Sequence, residues 1–455
     1  MNVFFEPKSI ALIGASESFK FGYWTTEYLL QSDFKTYPVN PNKDTIFGHK
    51  TYKNVEEIPE DIDLAIIIVN NDRVLESVKN CVEKGVKGII IESAGFAETG
   101  IKKYIEIQNE IERIAKTTGI RIIGPNCVGV TNFYNKFTSA EVYFNDTLEG
   151  GKISIIAQSG VLGNIFIDWG SNQKIGFSKS ITLGNKVDVD EVDMLEYLEK
   201  DSNTNVITIY LEGVKRGQEL LKVFKKMSKP VLILKNGRSI SGSRAIKSHT
   251  GSIAGNDKIY DAIFKKFPNI FRVNDFFEMF NIAQVFANQP LPKGKNIAII
   301  TTSGSLGILA CDLIEKLGLK LAILDKHTVK ALESISPTWT SINNPVDLGP
   351  SLFSTFRPAL NALFEDTNVD ALVYIFAVPK KPIQTFSISI MPHMKDMKNL
   401  SNKYEKPIIT CVFGSRWVVD YFLKYTDKYN IPIMTQVNHA IKALKFMHDF
   451  KKSNS

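Results

Sequence analysis

The sequence predicts an α/β protein made of three consecutive open parallel-sheet domains. Short, near-continuous apolar runs that end in Gly, Ser or Asn alternate with amphipathic stretches of helical period. This alternation is typical of right-handed βαβ units, which build doubly wound sheets. A chain of 455 residues is also too long for one ordinary core. Its 44% hydrophobic and 23% charged residues are typical of a soluble globular protein.

The first domain, residues 1–145, is predicted from a series of apolar runs that read as buried strands. These runs are SIALIGAS (9–16), LAIIIVN (64–70), GIIIESAG (88–95) and IRIIGPN (120–126). Between two of them, RVLESVKNCVEKG (73–85) has a helical pattern and ends in a glycine suited to a helix C-terminal cap. The polar stretch FNDTLEGGK (144–152), with its Gly-Gly pair, indicates the end of this domain.

Two further series predict a second domain over residues 146–288 and a third over 289–455. The second series is ISIIAQSG (153–160), KSITLGN (179–185), NVITIYLEG (205–213) and PVLILKNG (230–237). After a predicted linker, ANQPLPKGKN (287–296), the third series is IAIITTSGSLG (297–307), LKLAIL (319–324), ALVYIFAV (371–378) and PIITCVFG (407–414). The two series begin alike, with IIAQSGVLGN and IITTSGSLGI, which suggests two domains of one open-sheet type.

Composition narrows the functional classes. No apolar run approaches the roughly 20 residues that span a bilayer, and the N-terminal residues do not resemble a signal peptide. We therefore expect a cytoplasmic protein without a membrane partner. The net charge of +7 comes from dispersed lysines, which favours binding of small anions over nucleic acid. The cysteines form no CxxC pair, so we expect reduced thiols and no metal site; they are Cys81, Cys127, Cys311 and Cys411.

Glycine turns after two predicted strands are candidate anion sites. In IGASESFKFG (13–22), backbone N–H groups and a helix N-terminus could hold a phosphate, although an ordinary tight turn is the alternative. The turn is not GxGxxG, and YPVNPNK (37–43) offers no acidic residue for an NAD ribose, which favours a phosphorylated nucleotide such as coenzyme A (CoA). QSGVLGN (158–164) is the second candidate, with an ordinary βα turn as its alternative, whereas SGSLG (303–307) is interpreted as structural.

His249 lies among small and polar residues in KSHTGSIAG (247–255). These neighbours do not suit a core histidine, and the sequence around His249 lacks other metal ligands. A nucleophilic histidine would need open space, an anion cradle and an orienting carboxylate. Glu212, at the end of the apolar run IYLEG, is the candidate carboxylate; capping the following helix is its alternative role, and the spacing alone does not decide between them.

Seven motifs in one order resemble the α subunit of the nucleoside-diphosphate-forming acyl-CoA synthetases. They are SAGFAETG, IIGPNCVG, AQSGVLGN, LGNKVDVDEVDMLEYL, IYLEG, SHTGSIAG and NNPVDLG. This family includes the ADP-forming acetate–CoA ligases and belongs to the succinyl-CoA synthetase superfamily. The resemblance covers roughly residues 5–445 and implies a Rossmann-like CoA-binding domain followed by two flavodoxin-like, succinyl-CoA synthetase-like domains. It implies a ligase that interconverts acyl-CoA, ADP and phosphate with a carboxylic acid, CoA and ATP, through an acyl phosphate and a phosphohistidine.

The resemblance also implies roles for individual residues. His249 would carry the phosphoryl group, with Glu212 supporting it. Phosphate binding is implied for Gln158, Ser159 and Gly160. CoA contacts are implied for Gly14, Ser16, Lys20, Pro38, Asn40, Lys43, Val69, Asn70, Ala94, Gly95 and Asn126.

A partner chain is expected as well, because no segment of this sequence resembles an ATP-grasp domain. The resemblance implies a separate ATP-grasp β subunit that binds ADP or ATP with Mg²⁺, in an α2β2 heterotetramer. One alternative is a CoA-binding regulatory or scaffold protein without synthetase activity, against which the presence of both His249 and Glu212 argues. A succinate-specific CoA ligase is the other alternative, and the long third domain argues against it. The motifs do not distinguish among acyl groups.

Overall fold

A computed structural model describes residues 1–142, 144, 150–242, 244, 256–338, 342–385 and 391–454. The chain divides into two compact units, Met1–Asn274 and Asp275–Ser455. The first unit contains two open sheets and the second contains one. None of the helices in these described ranges is both long and apolar enough to traverse a lipid bilayer.

The first sheet consists of parallel strands that confirm the predicted apolar runs. Its strands are β1 (Ile10–Ile13), β2 (Thr36–Val39), β5 (Leu64–Ile67), β6 (Gly88–Ile91) and β7 (Arg121–Ile123), in the order β2–β1–β5–β6–β7. A separate antiparallel ribbon is formed by β3 (Thr45–Ile46) and β4 (His49–Lys50). The helices are α1 (Tyr23–Gln31), α2 (Asn71–Lys84) and α3 (Lys102–Thr118). As predicted, α2 ends at a glycine, Gly85, which has a φ of 77°.

The second sheet has the order β14–β13–β12–β10–β11–β8–β9. Its strands are β8 (Val130–Asn132), β9 (Phe137–Thr138), β10 (Gly150–Ala157), β11 (Phe177–Thr182), β12 (Val206–Leu211), β13 (Val231–Lys235) and β14 (Ile270–Val273). Strands β8 and β9 are antiparallel and belong to this sheet, although they precede the predicted domain boundary at residue 145. The associated helices are α4 (Gly160–Asn172), α5 (Glu191–Lys200), α6 (Gly217–Lys226) and α7 (Asp257–Lys266).

The second unit is built on the third sheet. The strands are β15 (Asn296–Thr301), β16 (Lys320–Leu321), β17 (Val346–Asp347), β18 (Ala371–Ala377), β19 (Ile408–Phe413) and β20 (Ile433–Met434), in the order β16–β15–β18–β19–β20, with β17 pairing β15. The helices are α8 (Phe276–Asn288), α9 (Gly304–Lys316), α10 (Lys326–Ile335), α11 (Leu352–Glu365), α12 (Lys380–Thr385), α13 (Met391–Tyr404), α14 (Arg416–Leu423), α15 (Thr426–Tyr429) and α16 (Val437–Asn454). Short 3₁₀ segments occur at Asn2–Phe4, Ala97–Thr99 and Gly349–Ser351.

The boundary between the two compact units lies just before α8, whereas the sequence predicts a linker at residues 287–296. Helix α8 packs on α16 within the second unit, which explains why the division falls ahead of the proline-containing stretch. The boundaries of the three predicted domains, 1–145, 146–288 and 289–455, stay a prediction.

All three sheets share one winding pattern. In each, the second parallel strand lies on one side of the first, and the later strands continue on the other side, except for β17, which pairs with β15 opposite β18. The side on which successive strands are added therefore changes next to the first parallel strand of each sheet. These switch points lie between β1 and β5, between β10 and β12, and between β15 and β18. Ligands of open α/β sheets bind outside the carboxyl ends of the strands at such a switch point. The first two of these switch points carry the candidate site.

A buried ion pair fixes the loop after β11. The Lys186 Nζ lies 3.0 Å from the Glu191 Oε2, and each side chain is 1% exposed. Lys186 also donates a hydrogen bond of 2.7 Å to the carbonyl oxygen of Gly213, just beyond β12. Burial raises the pKa of Glu191, and the charge of Lys186 opposes that rise. The pair thus ties the α5 region to the strand end that carries Glu212.

Substituting Lys186→Met is expected to lower the free energy of unfolding by about 3 to 5 kcal/mol, because it leaves Glu191 buried without its partner. Urea denaturation of the purified chain measures this change. The double variant Lys186→Met/Glu191→Leu is the control, and it should recover most of the loss because no uncompensated charge remains. A single variant as stable as the wild type would contradict the assigned role.

Candidate active site at two sheet edges

A cavity of about 580 Å³, here called the switch-point cavity, lies at the carboxyl edge of the first sheet. It is bounded by the ends of β1, β2 and β5 and by the first turns of α2. The predicted CoA contacts that line it are Gly14, Ser16, Lys20, Asn40, Val69 and Asn70. The turn after β1 thus lies where the sequence analysis predicts a nucleotide.

Gly14 shapes the floor of the switch-point cavity. It has a φ of +96°, and a Cβ atom at this position would lie 2.2 Å from the carbonyl oxygen of Ile68. Only glycine therefore allows the ends of β1 and β5 to approach so closely. Asn40 holds the same turn from the other side, because its Nδ2 donates a 2.9 Å hydrogen bond to the Ala15 carbonyl.

The charge of the switch-point cavity is mainly positive. Its lining includes the cations Lys20, Lys53 and Arg73 and the single carboxylate Glu76, and all three cations are exposed. The sequence analysis missed Lys53 and Arg73 because neither belongs to the glycine turn. Lys53 follows β4, and Arg73 lies in the first turn of α2.

A second cavity of about 410 Å³, here called the inter-sheet cavity, lies between the carboxyl edges of the first and second sheets. Its lining is Phe21, Glu92, Ala94, Asn126, Cys127, Val128, Gln158, Ser159, Gly160, Val161 and Gly184. Predicted CoA contacts and predicted phosphate contacts therefore meet in one cavity. The loop after β7 and the loop after β11 are in close contact at Gly184, where a Cβ atom would lie 2.1 Å from the Pro125 carbonyl oxygen.

Three of the predicted CoA contacts line neither cavity. Pro38 lies within β2, where it pairs with Leu12 of β1. Lys43 is an exposed residue beyond the lining. Gly95 is engaged locally, since its N–H donates to Glu98 Oε1 at 2.7 Å and its carbonyl accepts from Asn71 Nδ2 at 2.8 Å.

The N-terminus of α4 opens into the inter-sheet cavity. Ser159 is the N-cap residue, and its side chain makes no capping hydrogen bond. The first intrahelical bond joins the Gly163 N–H to the Ser159 carbonyl at 3.3 Å, so the N–H groups of the preceding turn have no intrahelical acceptor. These N–H groups and the positive end of the helix dipole suit a phosphate.

Gln158 joins the two strands that flank the switch point of the second sheet. Its Oε1 accepts hydrogen bonds from the backbone N–H groups of Glu212, at 2.8 Å, and Gly213, at 3.0 Å. The end of β10 is thereby fixed to the end of β12. The side-chain oxygen of Gln158 positions the Glu212 backbone, and the predicted contact of Gln158 with phosphate stays a prediction.

Glu212 is a buried carboxylate held by a polar chain. The side chain is 3% exposed, and the Tyr210 hydroxyl donates to its Oε1 at 3.2 Å. Asn236 Nδ2 in turn donates to the Tyr210 oxygen at 3.2 Å. Burial and the nearby Glu212 charge raise the pKa of Tyr210 to about 12, so the phenol remains a donor at neutral pH. The N-cap of α6 is Arg216, so the alternative in which Glu212 caps that helix is wrong.

His249, the predicted phosphorylated residue, lies outside the described residues. Near Glu212, the structure adds Lys235 at the end of β13, which the sequence analysis missed because it lies within an apolar run. Lys235 is fully buried, its Nζ donates to the Asn236 carbonyl, and it lies 4.7 Å from the centre of the Tyr260 ring. Burial lowers the pKa of Lys235 to about 8.

Glu92 is a further buried acid that the sequence analysis missed. It directly follows β6 in an otherwise apolar run, is 2% exposed and lines the inter-sheet cavity. Its Oε1 has no hydrogen-bond partner among the residues that the structure describes. Burial first, and the charge of Glu141 second, raise the pKa of Glu92 well above its usual value.

Among the residues that the structure describes, one group of potential metal ligands occurs, and it lies in the second unit. Ligand atoms of Asp275, Glu278 and His439 lie within 4.8 Å of one another. Lys442 forms an ion pair with Glu278, and Asn281 Nδ2 lies 3.0 Å from His439 Nδ1. Asp275 caps α8 by accepting the Glu278 N–H at 2.8 Å. Protein partners thus account for all three groups, and we assign no metal to them.

The sequence matches known families in both halves of the first unit. Residues 8–132 match the CoA binding domain family, and residues 150–286 match the succinyl-CoA ligase like flavodoxin domain family. The solved structure of dinucleotide-forming acetyl-coenzyme A synthetase 1 from Ca. Korarchaeum cryptofilum, in complex with phosphate and ADP, superposes with a TM-score of 0.88 at 28% identity. That similarity covers 99% of this chain and 97% of the other.

Two curated relatives extend over nearly the whole chain. Acetate–CoA ligase (ADP-forming) II subunit alpha from Pyrococcus furiosus is 39% identical over 441 residues, which cover 95% of this chain and 94% of the relative. Acetate–CoA ligase (ADP-forming) II from Archaeoglobus fulgidus is 38% identical over 450 residues, which cover 97% of this chain but 65% of that relative. The chain thus spans 65% of the length of the second relative. Together these similarities show that the chain belongs to the family of ADP-forming acetate–CoA ligases.

Proposed function

We propose that this chain is the α subunit of an ADP-forming acyl-CoA synthetase, an acid–thiol ligase. It interconverts acyl-CoA, ADP and phosphate with a carboxylic acid, CoA and ATP. The observation that carries the proposal is the inter-sheet cavity, in which Ala94 and Asn126, predicted CoA contacts, face the N-terminus of α4. A thioester and a phosphate bound there would be next to each other.

The proposed reaction has three transfers. A phosphate oxygen attacks the thioester carbonyl carbon, the C–S bond breaks, and CoA leaves as its thiolate. A nitrogen of His249 then attacks phosphorus in the acyl phosphate and releases the carboxylic acid as its carboxylate. The phosphoryl group finally passes from His249 to ADP. Glu212 would hold one imidazole N–H of His249, which orients the other nitrogen as the nucleophile.

The two cavities suit different parts of CoA. The positive switch-point cavity suits the phosphorylated nucleotide, and the inter-sheet cavity suits the thioester end. Gly14 supports this division, because its turn allows an anion to approach the backbone at the switch point. Lys20, Lys53 and Arg73 supply the charge that the phosphates of CoA require.

Substituting Arg73→Ala is expected to weaken CoA binding about five- to tenfold, the loss typical of an ordinary hydrogen bond, because solvent screens the charge at this exposed site. If Arg73 binds the 3′-phosphate of CoA, binding of 3′-dephospho-CoA should change less than twofold. Calorimetric titration of both ligands measures the difference. Lys79→Ala, an exposed cation on the same helix outside the cavity lining, is the matched control. Equal losses for both ligands would contradict an interaction with the 3′-phosphate.

We further propose an ATP-grasp β subunit as the partner, in an α2β2 assembly that binds ADP or ATP with Mg²⁺ mainly on the β subunit. The name of the P. furiosus relative, a subunit alpha that this chain covers almost completely, supports a separate partner. The additional third of the A. fulgidus relative is where a fused partner would lie. The cysteines are free, which is compatible with the cytoplasmic location that we propose.

Co-purification followed by an activity assay tests the proposed function. The tagged chain, isolated from its native host, should capture one ATP-grasp chain, and the complex should form ATP from acetyl-CoA or another acyl-CoA only when ADP and phosphate are both present. A complex that binds CoA but forms no ATP from any acyl-CoA in a broad panel would instead indicate the regulatory alternative.

A further inference from the structure

We infer that the inter-sheet cavity is the acyl pocket and that Glu92 makes it selective for short acyl groups carrying a hydroxyl group. The inference rests on the proposed function, since it assumes that the thioester end of CoA enters this cavity. It goes beyond the family assignment, because the motifs do not specify an acyl group.

Glu92 lines the inter-sheet cavity and has a buried carboxyl oxygen without a hydrogen-bond partner among the described residues. Its side chain is 2% exposed, and its Oε1 accepts no hydrogen bond from any described residue. Buried polar groups in proteins are nearly always paired, and an unpaired one destabilises the fold. A ligand hydroxyl that reaches Glu92 would remove this penalty on binding.

The surroundings leave room for the Glu92 carboxyl group. Gly129 has a φ of +94°, and a Cβ atom at that position would lie 3.0 Å from Glu92 Oε1 and 2.1 Å from Ser139 Oγ. Phe21, Cys127 and Val161 supply apolar parts of the wall, and Asn126, Gln158 and Ser159 supply polar parts. The apolar parts suit an aliphatic chain, and the Glu92 carboxyl group offers that chain a polar contact.

The charge state of Glu92 determines which substituent fits. Because burial and Glu141 raise its pKa, Glu92 is a neutral carboxylic acid over a wider pH range than an exposed glutamate. Cys127, the other titratable group of the lining, has a pKa raised by burial and stays a neutral thiol. A neutral carboxyl group both donates and accepts, and a hydroxyl group matches it in both respects.

The lining also disfavours charged acyl groups. None of its described residues is a lysine or arginine, so the second carboxylate of a dicarboxylic acid such as succinate would be buried without a cation. The volume of about 410 Å³ must also accept phosphate at the N-terminus of α4. The remaining space therefore suits a short chain.

Calorimetric titration of the full chain with CoA, butyryl-CoA, succinyl-CoA and 3- and 4-hydroxybutyryl-CoA tests the inference. The wild type should bind at least one hydroxybutyryl-CoA about tenfold more tightly than butyryl-CoA, and succinyl-CoA most weakly. Glu92→Leu should reverse the preference for the hydroxyl group. Glu92→Gln, which has the same shape and retains a donor and an acceptor, should keep part of it. Thermal unfolding verifies that each variant is folded.

Glu106→Gln is the matched control, because Glu106 is an exposed acid of α3 outside the cavity lining, and it should keep the wild-type ratio. If CoA binds but the ratio of hydroxybutyryl-CoA to butyryl-CoA affinity is the same in the wild type and in Glu92→Leu, the inference is overturned and the proposed function stands. If the wild-type chain binds neither CoA nor any acyl-CoA, the proposed function fails with it.

Discussion

Replacing His249 by alanine is expected to abolish ATP formation from acyl-CoA, ADP and phosphate, while CoA affinity stays within a few-fold of the wild type. The alanine side chain has no nitrogen to accept the phosphoryl group. Direct transfer from the acyl phosphate to ADP would require the acyl phosphate site and the ADP site to be adjacent. The first transfer should survive, because the phosphate and thioester contacts at the inter-sheet cavity remain. A coupled ATP assay and hydroxylamine trapping of the acyl phosphate measure the two steps separately.

The matched control for this variant is His327→Ala, which removes an exposed histidine from α10. It should leave ATP formation unchanged. Retained turnover in His249→Ala would contradict the covalent route. Loss of acyl phosphate formation together with ATP formation would show that His249 acts earlier than proposed.

Substituting Glu212→Gln is expected to slow phosphorylation of His249 by ten- to ten-thousandfold, the range typical of losing a positioned acid–base or orienting group. Glutamine keeps the size of the side chain and an oxygen that accepts the Tyr210 hydroxyl, so the change removes the negative charge and little else. Gln158 would still hold the backbone at residues 212 and 213. Rapid-quench measurement of the phosphoprotein gives the rate.

Glu219→Gln is the control for charge alone, since Glu219 is an exposed acid in the first turn of the neighbouring helix α6. It should phosphorylate at the wild-type rate. A wild-type rate in Glu212→Gln would remove the orienting role from Glu212 and leave it as a structural residue.

Much of the fold follows from local sequence pattern. Strands such as β1 and β12 are buried along their entire length, so their near-continuous apolar runs identify them. The pattern was less informative at LKLAIL, where only Lys320–Leu321 forms a strand. Strand β9 joins the second sheet by pairing with β8, and β8 joins it by antiparallel pairing with β11, a nonlocal contact that local periodicity does not encode.

The site was predictable where it follows a strand end. Gly14 and Ser159 belong to turns after β1 and β10, and parallel strands bring such turns to one edge. The bonds from Gln158 to the Glu212 and Gly213 backbone join segments far apart in sequence, so spacing could not reveal them. Glu92 interrupts an apolar run without any motif, and its importance appears only once its burial and unpaired oxygen are known.

The most direct test is to locate the phosphoryl group. The chain and its captured partner, incubated with ATP and Mg²⁺ and digested under alkaline conditions, should yield one phosphopeptide that contains His249, with a bond stable to base and labile to acid. Tandem mass spectrometry of that peptide gives the position. A complex that turns over acyl-CoA with phosphate and ADP while carrying phosphate at another residue, or at none, would contradict the account.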